Sequence, residues 1–170
     1  MDSSGRAVRL SSRHTSPRAV RILFLDSDVL PPVDVFGRLQ RHGEPVVSGL
    51  YYVDGEHVHP AMWLLDEQNS PSSVDVRDGA IVAETDGSPR RIEPGPNGLV
   101  TADAIGMGCL LVHASVFEEI DQPWFRWTMG YDDHPWDLRH DTGQPGISED
   151  FCHKLEEAGY ESHLDTTAKP

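Results

Sequence analysis

The chain has 170 residues and a mass of 18.9 kDa, with 38% apolar and 25% charged residues. That is enough for one globular domain with its own core and leaves little room for a second. Two cysteines, Cys109 and Cys152, exclude a disulfide framework and a cysteine-rich zinc site, and no apolar run reaches the roughly 20 residues of a membrane-spanning helix. Charge is unevenly spread. The first 21 residues hold five arginines (Arg6, Arg9, Arg13, Arg18, Arg21) and one acid, Asp2, whereas the remainder carries nine bases against 27 acids within a chain of net charge −14. Such a body repels nucleic acid and anionic membrane, and it admits a phosphorylated ligand only where a cation neutralises the site. The basic head lacks the apolar stretch of a secretory signal, so a cytoplasmic location is expected.

In chain order, residues 1–19 show no sustained period and read as a disordered basic lead-in. Val20 to Leu25 is a short apolar run predicted to form a buried strand that ends at Asp26-Ser27-Asp28. Val33, Phe36 and Leu39 recur at helical spacing and predict a helix over 33–42, stopped by Gly43. Pro45 to Val53 is β-rich and predicts a second strand. Residues 54–98, with their Gly and Pro clusters, read as an inserted, solvent-facing set of irregular hairpins. Val100 to Ile105 and Cys109 to Val112 predict strand pieces around Gly106-Met107-Gly108. Ser115 and Glu118 match a capping box opening a short helix. An aromatic, Asp- and Gly-rich loop spans 121–147. A helix over 149–158 follows, with Ser148 as N-cap, Phe151, Leu155 and Ala158 on one face and Gly159 as the stop. Tyr160 to Leu164 predicts a last strand. Alternating strands and helices place the chain in the α/β class.

Three segments carry chemistry. Side chains at i and i+2 of extended chain point the same way, so Asp26 and Asp28 are expected to present two carboxylates at the carboxyl end of a strand, where ligands of open α/β sheets bind. Two hard oxygen donors suit Mg²⁺ or Mn²⁺, which in turn grips a diphosphate; the same tripeptide also describes the start of a turn. Ser148-Glu149-Asp150 opens a helix, and a carboxylate there serves either as a general base at a cleft or simply as a complement to the helix dipole. Asp103 to Cys109, with paired glycines, lets a ligand approach the backbone closely, or marks a bulge. Trp124, in an aromatic stretch from Pro123 to Trp127, offers a ring to stack on a sugar or to plug the space beneath a loop.

Taken in order, Ile22 to Asp28, Val100 to Cys109, and Ser148 to Phe151 with Gly159-Tyr160 resemble successive motifs of GT-A-fold glycosyltransferases of the family 2 type. The resemblance covers residues 20–170 and implies a GT-A-like mixed sheet flanked by helices. It implies that Asp26 and Asp28 hold Mn²⁺ or Mg²⁺ on a nucleotide-diphosphate sugar donor, and that Asp103, Gly106, Met107 and Gly108 border the sugar. It further implies that Asp150, with Glu149 beside it, takes the proton of a hydroxyl acceptor in an inverting transfer. The match falls on the middle and later part of that fold, so it also implies a partner, either a complementary N-terminal polypeptide or a second copy in a homo-oligomer. Two other readings compete. An apolar run followed by Asp-x-Asp also resembles the nucleophile strand of haloacid-dehalogenase-type phosphatases, with Asp132-Asp133 as their later acidic pair. A non-catalytic remnant or partner subunit of a split transferase is the other.

Overall fold

The computed structural model describes residues 20–53, 59–65, 71–77, 80–85, 88–125 and 147–168. The basic lead-in, most of the 121–147 loop and Asp132-Asp133 lie outside them. In chain order the elements are β1 (Arg21–Leu25), α1 (Val35–Arg41), β2 (Val46–Gly49), β3 (Tyr52–Val53), β4 (His59–Pro60), β5 (Met62–Leu65), β6 (Pro71–Arg77), β7 (Ala80–Thr85), β8 (Ser88–Ile92), β9 (Leu99–Ala102), β10 (Ala104–Ile105), β11 (Cys109–His113), α2 (Val116–Glu119), α3 (Ile147–Glu157) and β12 (Ser162–Asp165). The class is mixed α/β with strands predominating. None of the described helices is long and apolar enough to cross a membrane.

One sheet has the order β1-β11-β2-β12-β9 and is antiparallel except for the parallel β2–β12 pair. The other is an antiparallel sheet, β10-β5-β6-β7-β8, and β3 and β4 make a separate ribbon. Alternation along β11 divides the core between the two faces of the first sheet. Leu110 and Val112 join Val46, Val100, Phe151 and Leu155, together with Met62, Leu64, Val74, Ile81 and Ala83 of the second sheet. Cys109 and Leu111 instead join Val35 and Leu39 of α1 with Val47 and Tyr51. The hairpins over 54–98 are therefore more than a solvent ribbon, because their inner face closes one side of the core.

Several local expectations shift. The helix over 33–42 starts at Val35, and its buried pair is Val35 and Leu39, while Val33 and Phe36 face solvent; an i, i+4 stripe replaces the i, i+3, i+6 one. The strand over 45–53 breaks after Gly49: the Leu50 amide donates to the Asp165 carbonyl, and the Tyr51 carbonyl accepts from Ala61, so the chain leaves the first sheet for the ribbon. The strand over 100–105 likewise bends at Asp103, placing β9 in one sheet and β10 in the other. Ser115 precedes α2 without a side-chain cap bond, its hydroxyl lying 2.6 Å from His113 Nδ1 instead. α3 begins two residues early, yet Phe151 and Leu155 are buried as expected and Gly159, at φ 81°, supplies the left-handed stop.

A buried carboxylate ties α1 to the end of β12. Asp165 Oδ2 lies 2.8 Å from His42 Nε2, and Oδ1 accepts from the Thr167 amide (2.8 Å), the Thr167 hydroxyl (2.6 Å) and the Ala168 amide (3.2 Å). Arg38 adds a bond to the Thr167 carbonyl. Burial pushes the Asp165 carboxyl up, but the bonds from Thr167 and His42 outweigh it and hold the group below its ordinary range. Its stabilising effect is therefore complete above the unfolded value of about 3.9 and is lost as pH falls through the lower folded value. Thermal melts between about pH 3 and 7 test this: Asp165→Asn is less stable than wild type at neutral pH by about 1–3 kcal/mol, and the gap narrows in acid.

Candidate functional site

The carboxyl ends of β1, β2 and β12 and the start of β11 meet at one rim of the first sheet, as the registers Leu25↔Cys109 and Asp165↔Gly49 require. Tyr51, Asp26 and Gly106 to Gly108 are joined there. The Asp26 amide donates to the Gly108 carbonyl at 3.0 Å, extending the β1–β11 ladder by one residue. The Gly108 amide in turn donates to the Tyr51 hydroxyl oxygen at 2.8 Å. The Gly106 amide donates to the Ala61 carbonyl, and the Gly106 carbonyl accepts from the buried Ser48 hydroxyl.

This crowding explains the glycines. A Cβ on Gly106 would collide with the Tyr51 hydroxyl and stand 2.7 Å from its Cζ and 2.8 Å from the Ala61 methyl. On Gly108 it would stand 2.8 Å from Tyr51 Cζ and 3.0 Å from Asp26 Oδ2. The pair is thus required by an aromatic ring lying against backbone, and the Asp26 carboxylate stands beside that ring at Gly108. Burial, against the pull of the Gly108 amide and with help from the Asp26 charge, pushes the Tyr51 phenol up to about 12. Tyr51 therefore stays a neutral hydroxyl beside that carboxylate. The sequence reading passed over Tyr51; the i, i+2 glycines opposite a β-rich Leu-Tyr-Tyr stretch were the available signal.

Asp26 and Asp28 differ from the extended pair expected. β1 ends at Leu25, and the Val29 amide donates back to the Asp26 carbonyl at 3.2 Å, so Ser27 and Asp28 lie in a turn. The i, i+2 rule for strands does not apply there. Both carboxylates are exposed at the rim. No cluster of three or more His, Cys, Asp or Glu side chains suited to a metal occurs among the described residues. Two exposed carboxylates do match the sparse protein ligation typical of Mg²⁺, which keeps waters and substrate phosphates as its other ligands.

Asp150 sits on α3 with its side chain fully buried, and Lys154 Nζ lies 2.5 Å from its Oδ2 while also donating to the Pro123 carbonyl at 2.6 Å. The Glu149 side chain lies outside what the structure describes. α3 packs on β10, and Cys152 Sγ lies 3.5 Å from the Ile105 amide nitrogen and 3.6 Å from its carbonyl oxygen. The segment 105–108 is therefore flanked by the end of β1 on one side and by the first turns of α3 on the other. Asp103 stands apart at the bend, its Oδ2 accepting the Leu65 amide at 2.7 Å. Met107 is partly buried against the larger core cluster. Trp124 packs edge-to-face on Phe117 at 5.1 Å, within an aromatic group that also includes Phe24, Phe125 and Phe151.

No protein-family model matches the chain, and no curated protein matches it either.

The glycine requirement is open to measurement. Gly106→Ala lowers stability by about 1–3 kcal/mol through overpacking against Tyr51. Tyr51→Phe leaves the Gly108 amide without its acceptor and costs about 1–2 kcal/mol. Because Tyr51 Cζ and the Ala61 methyl also crowd position 106, Tyr51→Phe does not rescue Gly106→Ala, whereas Tyr51→Ala recovers part of the loss. Denaturant melts of the three single variants and the two double variants check this.

Proposed function

We propose that the chain carries the metal, donor-diphosphate and acceptor-facing groups of a glycosyl transfer from a nucleotide-diphosphate sugar to a hydroxyl, with inversion. The observation that supports this reading is the convergence on Gly106 to Gly108: Asp26 bonds one side of that turn, and Cys152, two residues from Asp150, contacts the residue before it. Motifs far apart in sequence thus border one short backbone segment that only glycine permits.

In this reading Asp26 and Asp28 hold Mn²⁺ or Mg²⁺, which supplies charge neutralisation for the departing diphosphate. The net charge of −14 makes that neutralisation a condition of donor binding. The turn from Gly106 to Gly108, packed from behind by the Tyr51 ring, borders the sugar in this reading, while the neutral Tyr51 hydroxyl and the Gly108 amide fix the rim beside Asp26. Asp150 accepts the acceptor's proton. Lys154 and the Pro123 carbonyl hold its carboxylate in one orientation, and the acceptor hydroxyl must reach it past that ion pair. Trp124 belongs to the wall on the acceptor side.

Calorimetric titration of UDP, GDP, ADP and CDP with and without Mn²⁺ tests the reading. Wild type is expected to bind at least one of them only with the metal, and Asp28→Ala to weaken that binding by about tenfold or more, equivalent to about 1.4 kcal/mol. Metal-independent binding, or none, would overturn it for this chain. Hydrolysis of a simple phosphomonoester with Mg²⁺, abolished by Asp26→Asn, would instead assign the phosphatase chemistry in which that carboxylate attacks phosphorus.

A further inference from the structure

Among the described residues β1 is an edge strand, although four of its five residues are apolar. It pairs there only with β11. The Val20 carbonyl accepts from Ala114 and the Asp26 amide donates to Gly108; with the register Ile22↔Val112 and Phe24↔Leu110, the even-numbered residues turn their backbone groups toward β11. The amides and carbonyls of Arg21, Leu23 and Leu25 consequently point outward, away from the sheet.

Natural edges are guarded by proline, charge or short length. β8, the edge of the second sheet, follows that rule with exposed Pro89, Arg90 and Arg91. β1 does not. Its five residues are Arg-Ile-Leu-Phe-Leu, and the single charge, on Arg21, is turned back to the Glu44 carbonyl at 2.7 Å. Of the eight large apolar side chains exposed among the described residues, Val20, Ile22 and Leu25 lie on or beside β1, and Leu30, Val33 and Phe36 lie on the segment that follows into α1, with exposures from 38% to 109%.

We infer that the outer edge of β1 is the interface for a second copy of this chain. Three features select a copy over other occupants. The edge is self-complementary: antiparallel pairing about Leu23 sets the outward groups of Arg21 against those of Leu25 of the copy, Leu23 against Leu23, and the Ile22 side chain opposite Phe24, joining two five-stranded sheets into one. Charge allows it. Residues 20–42 hold three arginines (Arg21, Arg38, Arg41) and three aspartates (Asp26, Asp28, Asp34), a neutral segment on a chain of net −14, so two copies meet there with less repulsion than elsewhere. Exposed apolar surface is the third: Val20, Ile22 and Leu25 stand at or beside this edge, and Leu30, Val33 and Phe36 follow within the next eleven residues. The pairing does not depend on which reaction the rim supports, and its readout is mass rather than ligand binding.

Sedimentation equilibrium of the full chain from about 1 to 100 µM gives a mass of twice 18.9 kDa at the upper end. The amides of Leu23 and Leu25 exchange more slowly as concentration rises. Ile22→Lys and Leu25→Lys are monomers that melt within a few degrees of dilute wild type, whereas Val53→Lys, exposed on β3, remains a dimer. Leu25→Pro, which removes one outward amide and no internal bond, is also monomeric. Should wild type stay monomeric throughout, or the β1 variants still dimerise, the interface is overturned. A monomer whose Leu23 and Leu25 amides become protected only with a different polypeptide overturns it too, and gives the edge to that partner.

Discussion

The approach of the Tyr51 ring to the backbone at Gly106 and Gly108 is the constraint on which the rim depends. Aromatic side chains are large and rigid, and a ring within van der Waals contact of two peptide units leaves no room for side chains on either. The ring fixes the path from β10 into β11, and that path delivers the Gly108 carbonyl to the Asp26 amide. Asp26 is thus held in register by backbone bonding, while its carboxylate stays at the surface. Burial keeps Tyr51 neutral against the pull of the Gly108 amide, so the rim holds carboxylate charge and hydroxyl dipole side by side without a second anion.

Electrostatics then decides what this rim admits. An anionic ligand meets a chain with twice as many acids as bases, and only a site with a bound cation offsets that field. The buried charges elsewhere are accounted for internally: Asp165 by His42 and the Thr167-Ala168 turn, Asp150 by Lys154. Among the described residues no ion pair is seen for Asp26 or Asp28, and both stay exposed.

Much of the frame was legible from pattern alone. The Phe151/Leu155 stripe and Gly159 give α3 its face and its end, and the apolar run before Asp26 gives β1. Other features turn on contacts that a linear pattern does not encode. Val33 and Phe36 fit a helical period, but burial follows Val35 and Leu39 because α1 packs on β2 and β11 at that phase. Pro45 to Val53 reads as one strand since its valines and tyrosines favour β structure, yet long-range bonds with Asp165 and Ala61 divide it. The site was read through its carboxylates and glycines, whereas Tyr51, which makes those glycines necessary, looks like an ordinary strand aromatic until its neighbours across the fold are known. The pairing of Asp26 with Asp28 rests on strand geometry that ends at Leu25, before either aspartate is reached.

The bend at Asp103 carries one further consequence. Within a single residue the chain passes from the first sheet to the second, and two residues later it enters the glycine turn. The second sheet and the rim are therefore tied by covalent chain as well as by packing. Sequence changes on β5, the neighbour of β10, can shift the glycine turn without altering any residue of the turn itself.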